Sequence, residues 1–321
     1  MAQATQRYAL ALHGGAGAYD KAGFNADQLA AYRRGLARAL EAGEMVLARD
    51  GAALDAVCAA VAVLEDDPLF NAGRGAVFTN EGKVELDAAA MDGATLRAGA
   101  VAGARTTRNP VRLARAILDH SPHVMLHGRG ADAFAALHGL SQVDNSYFHT
   151  PFRLAQLRAA QAAGAAITLG KFGTVGAVAC DRAGDLAAAT STGGLTNKQF
   201  GRVGDSPIIG AGTYANNAGC AVSATGHGEY FIRLTLARDI SALMEMKGLP
   251  LEAAANLMVK ERLRALGGEG GVIAVDRQGE LVLVFNTAGM FRAGVREGEA
   301  AWTAIMADDA KPVQGSSSES Q

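Results

Sequence analysis

Residues 173–181, Gly173-Thr174-Val175-Gly176-Ala177-Val178-Ala179-Cys180-Asp181, form the stretch on which the fold turns. Val175 to Cys180 reads as a strand of small and β-branched residues. Asp181-Arg182-Ala183-Gly184 is a hairpin-length connection to a second strand, Asp185 to Thr190, so antiparallel pairing is expected. Thr174 adds chemistry to that geometry. An internal threonine is a weak nucleophile, but one freed by cleavage of the bond before it carries its own base, an α-amino group of reference pKa about 7.7 to 8.0. Gly173 suits such a cut, because without a Cβ the scissile peptide reaches dihedrals closed to other residues. The branched Cβ of Thr174 limits its hydroxyl to few rotamers.

Downstream lie three further motifs: Ser191-Thr192-Gly193-Gly194, Gly201-Arg202-Val203-Gly204-Asp205-Ser206-Pro207 and Ala224-Thr225-Gly226-His227-Gly228-Glu229. Thr192 ends a hairpin strand, where its hydroxyl could tune Thr174, although a strand-end threonine before a glycine turn is commonplace. Thr225-Gly226 precedes a helical pattern, so its hydroxyl and N–H could face an oxygen that turns negative, or could simply form an N-cap region. Arg202 and Asp205 pair a carboxylate-gripping fork with an ammonium acceptor, the complement of a free amino acid. At that spacing they could also be a local surface ion pair.

In this order the motifs resemble the plant-type asparaginase and isoaspartyl peptidase family of N-terminal nucleophile hydrolases. Further matches are His13-Gly14-Gly15-Ala16-Gly17, Pro68-Leu69-Phe70-Asn71-Ala72-Gly73, Met91-Asp92-Gly93 and Asn286-Thr287 before Gly289-Met290. The resemblance spans nearly the whole chain. It implies self-cleavage between Gly173 and Thr174 into an α subunit (1–173, linker about 164–173) and a β subunit (174–321). Together these are expected to build one α+β domain, a four-layer αββα sandwich. The implied activity releases L-aspartate from L-asparagine and from β-aspartyl dipeptides. Thr174 is the implied nucleophile, beside Thr192, with Thr225 and Gly226 as the oxyanion hole. Arg202, Val203, Gly204 and Asp205, with Thr225, Gly226, His227 and Gly228, are the implied substrate-binding residues. Asn71, His13, Gly14 and Gly15 support the geometry of Thr174. No catalytic cofactor is implied, but the family's loop around a structural sodium ion maps onto backbone carbonyls of Leu64, Glu65, Asp67, Phe70, Ala72 and Arg74. A dimer of cleaved heterodimers is the implied assembly.

Along the chain, Arg7 to His13 reads as a buried strand ending on glycines, and two amphipathic helices follow, separated by Asp50-Gly51. Asp66-Asp67-Pro68 ends the second helix and opens a loop. Strands Gly75–Thr79, Val84–Met91 and Ala98–Ala104, helix Pro110–His120, strand His123–Leu126 and helices Arg129–Leu140 and Pro151–Ala163 are expected before the cut. After it come helices Glu229–Met246 and Leu251–Leu266, strands Gly271–Asp276 and Leu281–Phe285, and a disordered tail from about 307 to 321. Pattern alone also suits a doubly wound parallel sheet. His120, His123 and His127 make a poor zinc site, since Pro122 breaks the helix that would put them on one face.

The 321 residues are 49% apolar and 19% charged, ample for a globular core, and a formal net charge of -2 argues against nucleic acid or anionic membrane as partner. Three cysteines without a Cys-x-x-Cys spacing read as core thiols. Met1 to Gln6 is polar and the apolar run Tyr8 to Leu12 is too short for a signal-peptide core, so a cytoplasmic location is expected. Two rivals are a glycosylasparaginase and, more distantly, a nucleotide-binding module read from the glycine runs. The latter lacks both GxGxxG and a P-loop lysine. An unprocessed, inactive scaffold is a third alternative.

Overall fold

The computed structural model describes residues 7–17, 24–164 and 173–309. The first half supplies β1 (Ala9–Gly17), α1 (Ala26–Leu47), α2 (Ala53–Asp66), β2 (Leu86–Asp92), β3 (Ala98–Ala104), α3 (Pro110–His120), β4 (Met125–His127), α4 (Gly128–Leu137) and α5 (Pro151–Ala162). The second half supplies β5 (Val175–Cys180), β6 (Leu186–Thr192), β7 (Thr213–Ala215), β8 (Cys220–Gly226), α6 (Gly228–Leu234), α7 (Leu236–Lys247), α8 (Leu251–Asn256), β9 (Gly270–Asp276), β10 (Leu281–Phe285), β11 (Gly289–Arg296) and β12 (Trp302–Met306).

The strands form an eight-stranded sheet, β12-β11-β1-β5-β6-β2-β3-β4, and a four-stranded sheet, β10-β9-β8-β7. Every neighbouring pair is antiparallel except β3 with β4, which rules out the doubly wound alternative. Strand alternation builds the layers. On β1 and β5, Leu10, Leu12, Val175 and Ala177 pack under α1 and α2, while Ala9, Ala11, Val178 and Cys180 meet Ala221, Ile273 and Val275 of the smaller sheet. On the smaller sheet's other side Val222, Val272 and Ala274 pack against Phe231, Ile240 and Val259. The result is the expected αββα sandwich, its inter-sheet layer mixing alanines such as Ala11 and Ala188 with larger Met91, Leu186, Ile273 and Leu283.

Several local expectations need correction. β1 does not stop at His13 but runs on to Gly17 through a bulge between His13 and Gly15, where Gly15 takes φ 113°. Residues 75–79 form no strand, only isolated bridges from Phe78 to Val84 and from Thr79 to Lys198, because the Asn71 side chain takes the Val77 N–H that a ladder would have used. The single helix expected over Glu229–Met246 is broken at Thr235, which sits at φ 45°, and residues 257–263 of the next helix widen to π geometry. Ala307 to Asp309, placed in the tail by the sequence, are ordered: the Asp309 carboxylate accepts from Arg33 and from the N–H groups of Ile305 and Met306. The remainder of the tail and residues 165–172 of the linker lie outside the described residues. Among the described residues no helix is long and apolar enough to cross a membrane.

Candidate active site

Thr174 stands at the entrance to β5, and the antiparallel register of β5 with β6 sets it beside Thr192. Its Oγ1 donates to Thr192 Oγ1 at 3.1 Å, and Thr192 Oγ1 also accepts from Gly194 N–H at 3.0 Å. The chain is continuous through Gly173 and Thr174, so this is the geometry before any cut. Asn71 braces the junction. Its Nδ2 donates to Gly194 O at 2.8 Å and its Oδ1 accepts from Val77 N–H at 2.9 Å. A Cβ at position 173 would come within 2.9 Å of Asn71 Cβ, so the residue before Thr174 favours glycine for close packing.

His13 lies behind Thr174, fully buried, with Nδ1 3.0 Å from Thr174 O and Nε2 2.9 Å from Ser223 Oγ. Burial pushes its imidazole down to about 3, so it is neutral, with the hydrogen bond to the Thr174 carbonyl opposing that shift. Gly14 makes room for Phe70, whose ring a Cβ there would meet at 2.4 Å. On the helix side of β6, Glu65 is buried, accepts from Ser191 Oγ at 2.6 Å and from Val111 N–H at 2.9 Å, and is pushed up to about 8 by desolvation. That carboxyl ties the residue next to Thr192 to the start of α3.

Gly173, Thr174, Thr192, Gly194, Arg202, Gly204, Asp205 and Gly226 share one cavity, so the nucleophile and the charged pair predicted from sequence do converge. Its free volume is about 10 Å³, room for a single water at most. Arg202 and Asp205 are not the surface ion pair that their spacing also allowed. Arg202 instead forms a bidentate pair with Glu229, from Nε at 2.9 Å and Nη2 at 3.1 Å. This occupies one edge of the guanidinium and leaves the Nη1 hydrogens beside Gly194 and Gly204, where a side chain would crowd them. Asp205 is 4% exposed, and its Oδ2 has no hydrogen-bond partner among the described residues. Desolvation pushes its carboxyl up to about 7 despite the nearby Arg202 charge.

Thr225 lies at the end of β8, fully buried, and its Oγ1 accepts from Ala16 N–H at 3.2 Å, leaving its own proton to give. Gly226 holds φ 151°, and a Cβ there would strike Glu269 O at 2.3 Å. Burial lowers the His227 pKa. Gly228 packs against the charged pair, 2.7 Å from Asp205 Oδ1 at the position of a would-be Cβ, whereas Val203 is exposed and lines the neighbouring cavity. Sequence reasoning quoted Glu229 only as the last letter of a motif and missed its grip on Arg202. The spacing of 27 residues between them offered no local cue.

The loop after α2 brings backbone oxygens together. A Cβ on Gly73 would meet Glu65 O at 2.4 Å, and one on Gly75 would meet Pro68 O at 2.4 Å and Phe70 O at 2.8 Å. Both glycines have positive φ. Among the described residues no group of three His, Cys, Asp or Glu is placed to hold a metal, so any ion here would rest on carbonyls.

The family model described as asparaginase matches residues 6–305. The chain is 52% identical over 305 residues to an isoaspartyl peptidase of Salmonella typhimurium, covering 92% of this chain and 97% of that protein. It is 51% identical over 305 residues to an isoaspartyl peptidase of Escherichia coli, covering 92% and 95%. To an isoaspartyl peptidase/L-asparaginase of Mus musculus it is 45% identical over 270 residues, covering 83% and 82%.

Proposed function

Since the chain belongs to the isoaspartyl peptidase and L-asparaginase family of N-terminal nucleophile hydrolases, we propose that it splits itself before Thr174 and then hydrolyses the side-chain amide of L-asparagine and the isopeptide bond of β-aspartyl dipeptides, releasing L-aspartate. The observation that carries this reading is the shared cavity of Thr174, Thr192, Arg202 and Asp205.

In the first step Thr174 Oγ1 attacks the Gly173 carbonyl carbon, the C–N bond breaks as nitrogen takes the hydroxyl proton, and water hydrolyses the resulting ester. Gly173 becomes a carboxylate, and Thr174 keeps its hydroxyl and gains a free amine. Departure of the Gly173 side of the chain would empty a cavity that the intact chain nearly fills.

In each turnover the amine accepts the hydroxyl proton while Oγ1 attacks the substrate's side-chain carbonyl. The Thr225 hydroxyl and Gly226 N–H hold the oxygen that becomes negative, a service commonly worth ~3 kcal/mol per donor. Ammonia or the amino component leaves with the proton, and water then releases aspartate from the ester. Arg202 receives the substrate's α-carboxylate on its free edge and Asp205 receives the ammonium.

We extend the proposal to a sodium ion held by the carbonyls of Leu64, Glu65, Asp67, Phe70, Ala72 and Arg74. The close approach of Glu65 O to Gly73 and of Phe70 O to Gly75 is the support for this reading, and the ion's contribution would be to hold the loop that presents Asn71. Pairing of two cleaved copies into a homodimer belongs to the same proposal.

The deciding experiment compares β-Asp-Leu with α-Asp-Leu. Only the β-linked peptide leaves both the α-carboxylate and the ammonium of one aspartyl unit free for Arg202 and Asp205, so a preference of at least ~100-fold is expected. Thr174→Ala, which should stay one chain by intact mass, supplies the inactive control. Comparable rates on the two peptides, or splitting of Thr174→Ala at that bond, would overturn the reading.

A further inference from the structure

In the loop from β6 to β7, just ahead of Arg202, Lys198 carries an ammonium on a side chain that is 1% exposed. It donates to Glu85 O at 3.1 Å and lies 3.9 Å from Glu85 Oε2, a carboxylate whose other oxygen is held by Arg105. Among the described residues, then, one of its three protons goes to a hydrogen bond of ordinary length. The ammonium sits at the wall of the candidate site. The position that a Cβ on Gly194 would take is 3.3 Å from Lys198 Nζ and 3.4 Å from Arg202 Nη1, so the two nitrogens lie within about 7 Å of each other. Both charges act on Asp87. That residue stands opposite Thr192 in the β2–β6 register, so their side chains share one face of the sheet, and Thr192 is the residue that accepts from Thr174. Asp87 is 1% exposed. Its Oδ1 accepts from Gly103 N–H at 2.8 Å, and its Oδ2 has no hydrogen-bond partner among the described residues. Burial raises the pKa of its carboxyl, and Lys198, the Gly103 N–H and Arg202 oppose the rise.

Burying an ammonium beside a guanidinium is costly, and a use for it follows from counting charge. Glu229 grips Arg202 through two hydrogen bonds and cancels its charge, while Asp205 adds a carboxyl meant for a cation. A carboxylate approaching Nη1 would thus meet hydrogen-bond donors but no net positive charge. Lys198 supplies that charge from behind Gly194, and Asp87, with one oxygen already given to Gly103, moderates it. The structural tie of this loop does not need the ammonium. It runs through the backbone, where Lys198 O accepts from Asn80 N–H at 2.9 Å.

We propose that Lys198 is a positioning residue that sets specificity: its buried ammonium makes the free Nη1 edge of Arg202 net attractive to a substrate's α-carboxylate, and Asp87 is the counter-ion that limits the attraction. Lys198 does not touch the substrate; it acts alongside Arg202 through its charge. This deepens the function proposed above and rests on Arg202 receiving the α-carboxylate.

L-Aspartate and its α-amide differ at one group, the α-carboxylate. Titration calorimetry on cleaved protein, with cleavage verified by intact mass, gives the ratio of their dissociation constants. The parent should favour aspartate. Lys198→Met, which removes the charge and keeps the backbone tie, should shrink that preference by ~10-fold, whereas Asp87→Asn should enlarge it by ~3-fold. Shifts of opposite sign are what a packing role cannot produce, because a loosened site weakens both ligands alike. An unchanged ratio in folded Lys198→Met, or shifts of one sign in the two variants, would overturn the proposal. So would a folded Lys198→Met that stays one chain, which would place the lysine in the cut instead. Should circular dichroism show that Lys198→Met does not fold, Asp87→Asn decides alone: an enlarged preference supports the proposal, and an unchanged or reduced one overturns it. A parent that binds the α-amide as tightly as aspartate would sink the Arg202 assignment and the function built on it. A parent that discriminates, with variants that leave the ratio unmoved, would sink this inference and leave that function standing.

Discussion

Arg202 can serve a substrate carboxylate because Glu229 holds the guanidinium by its Nε/Nη2 edge and leaves Nη1 beside Gly194 and Gly204. Lysine would keep the charge but has no second edge to offer once Glu229 is satisfied. Arg202→Lys should therefore lose about 1.5 to 3 kcal/mol in kcat/KM with self-cleavage preserved, and steady-state rates beside an intact mass spectrum check both halves of that statement. Asp205 makes a pH prediction. Its folded-state pKa, pushed up to about 7, lies above that of an unfolded aspartate, so the folded chain keeps a proton that the unfolded chain gives up. The stability contributed by that proton is fully present below pH ~4 and is lost as pH rises through about 7. Melting curves of Asp205→Asn should accordingly gain on the parent between pH 5 and 8. A parallel pair of curves would mean that the carboxylate is already satisfied.

At the scale of elements, the loop after α2 sets backbone carbonyls close against Gly73 and Gly75. If its carbonyls hold sodium, exchanging sodium chloride for choline chloride at equal ionic strength should lower the Tm by at least ~2 °C, and an unchanged Tm removes the ion from the account. The distinction between backbone and side chain explains what could be read from the letters. β5 and β6 were legible because valine and alanine runs flank a glycine turn, and α1, α2 and α3 because their apolar spacing is helical. β11 was not, since Gly289, Arg292, Gly294 and Arg296 interrupt any apolar alternation; yet Arg292 is 4% exposed and donates to the carbonyls of Met290 and Met306. Thr174, Arg202 and Asp205 could be named from chemistry. The partners that orient them, Glu229 on Arg202 and Ser223 on His13, are set by register between distant strands and leave no trace in local spacing.

For the whole molecule, the position of the proposed cut within the sheet order matters most. β1 comes from the first half, yet lies between β11 and β5 of the second, while β6 hands over to β2. Breaking the bond before Thr174 thus severs one covalent link and none of these ladders. The cleaved pieces should co-elute on size exclusion, at the native mass of two cleaved copies if the homodimer forms, and separate only in denaturant. Separation of the pieces in native buffer would contradict the interleaved topology.

That interleaving would make maturation by the proposed cut a one-way passage. Before the cut, β1 finds its place between β11 and β5 as part of a single chain, by a unimolecular search. Afterwards the same strand would have to be found by a separate molecule, so renaturation becomes second order and its yield falls with dilution. Durability of the mature protein would then rest on how slowly it opens rather than on how well it can start again.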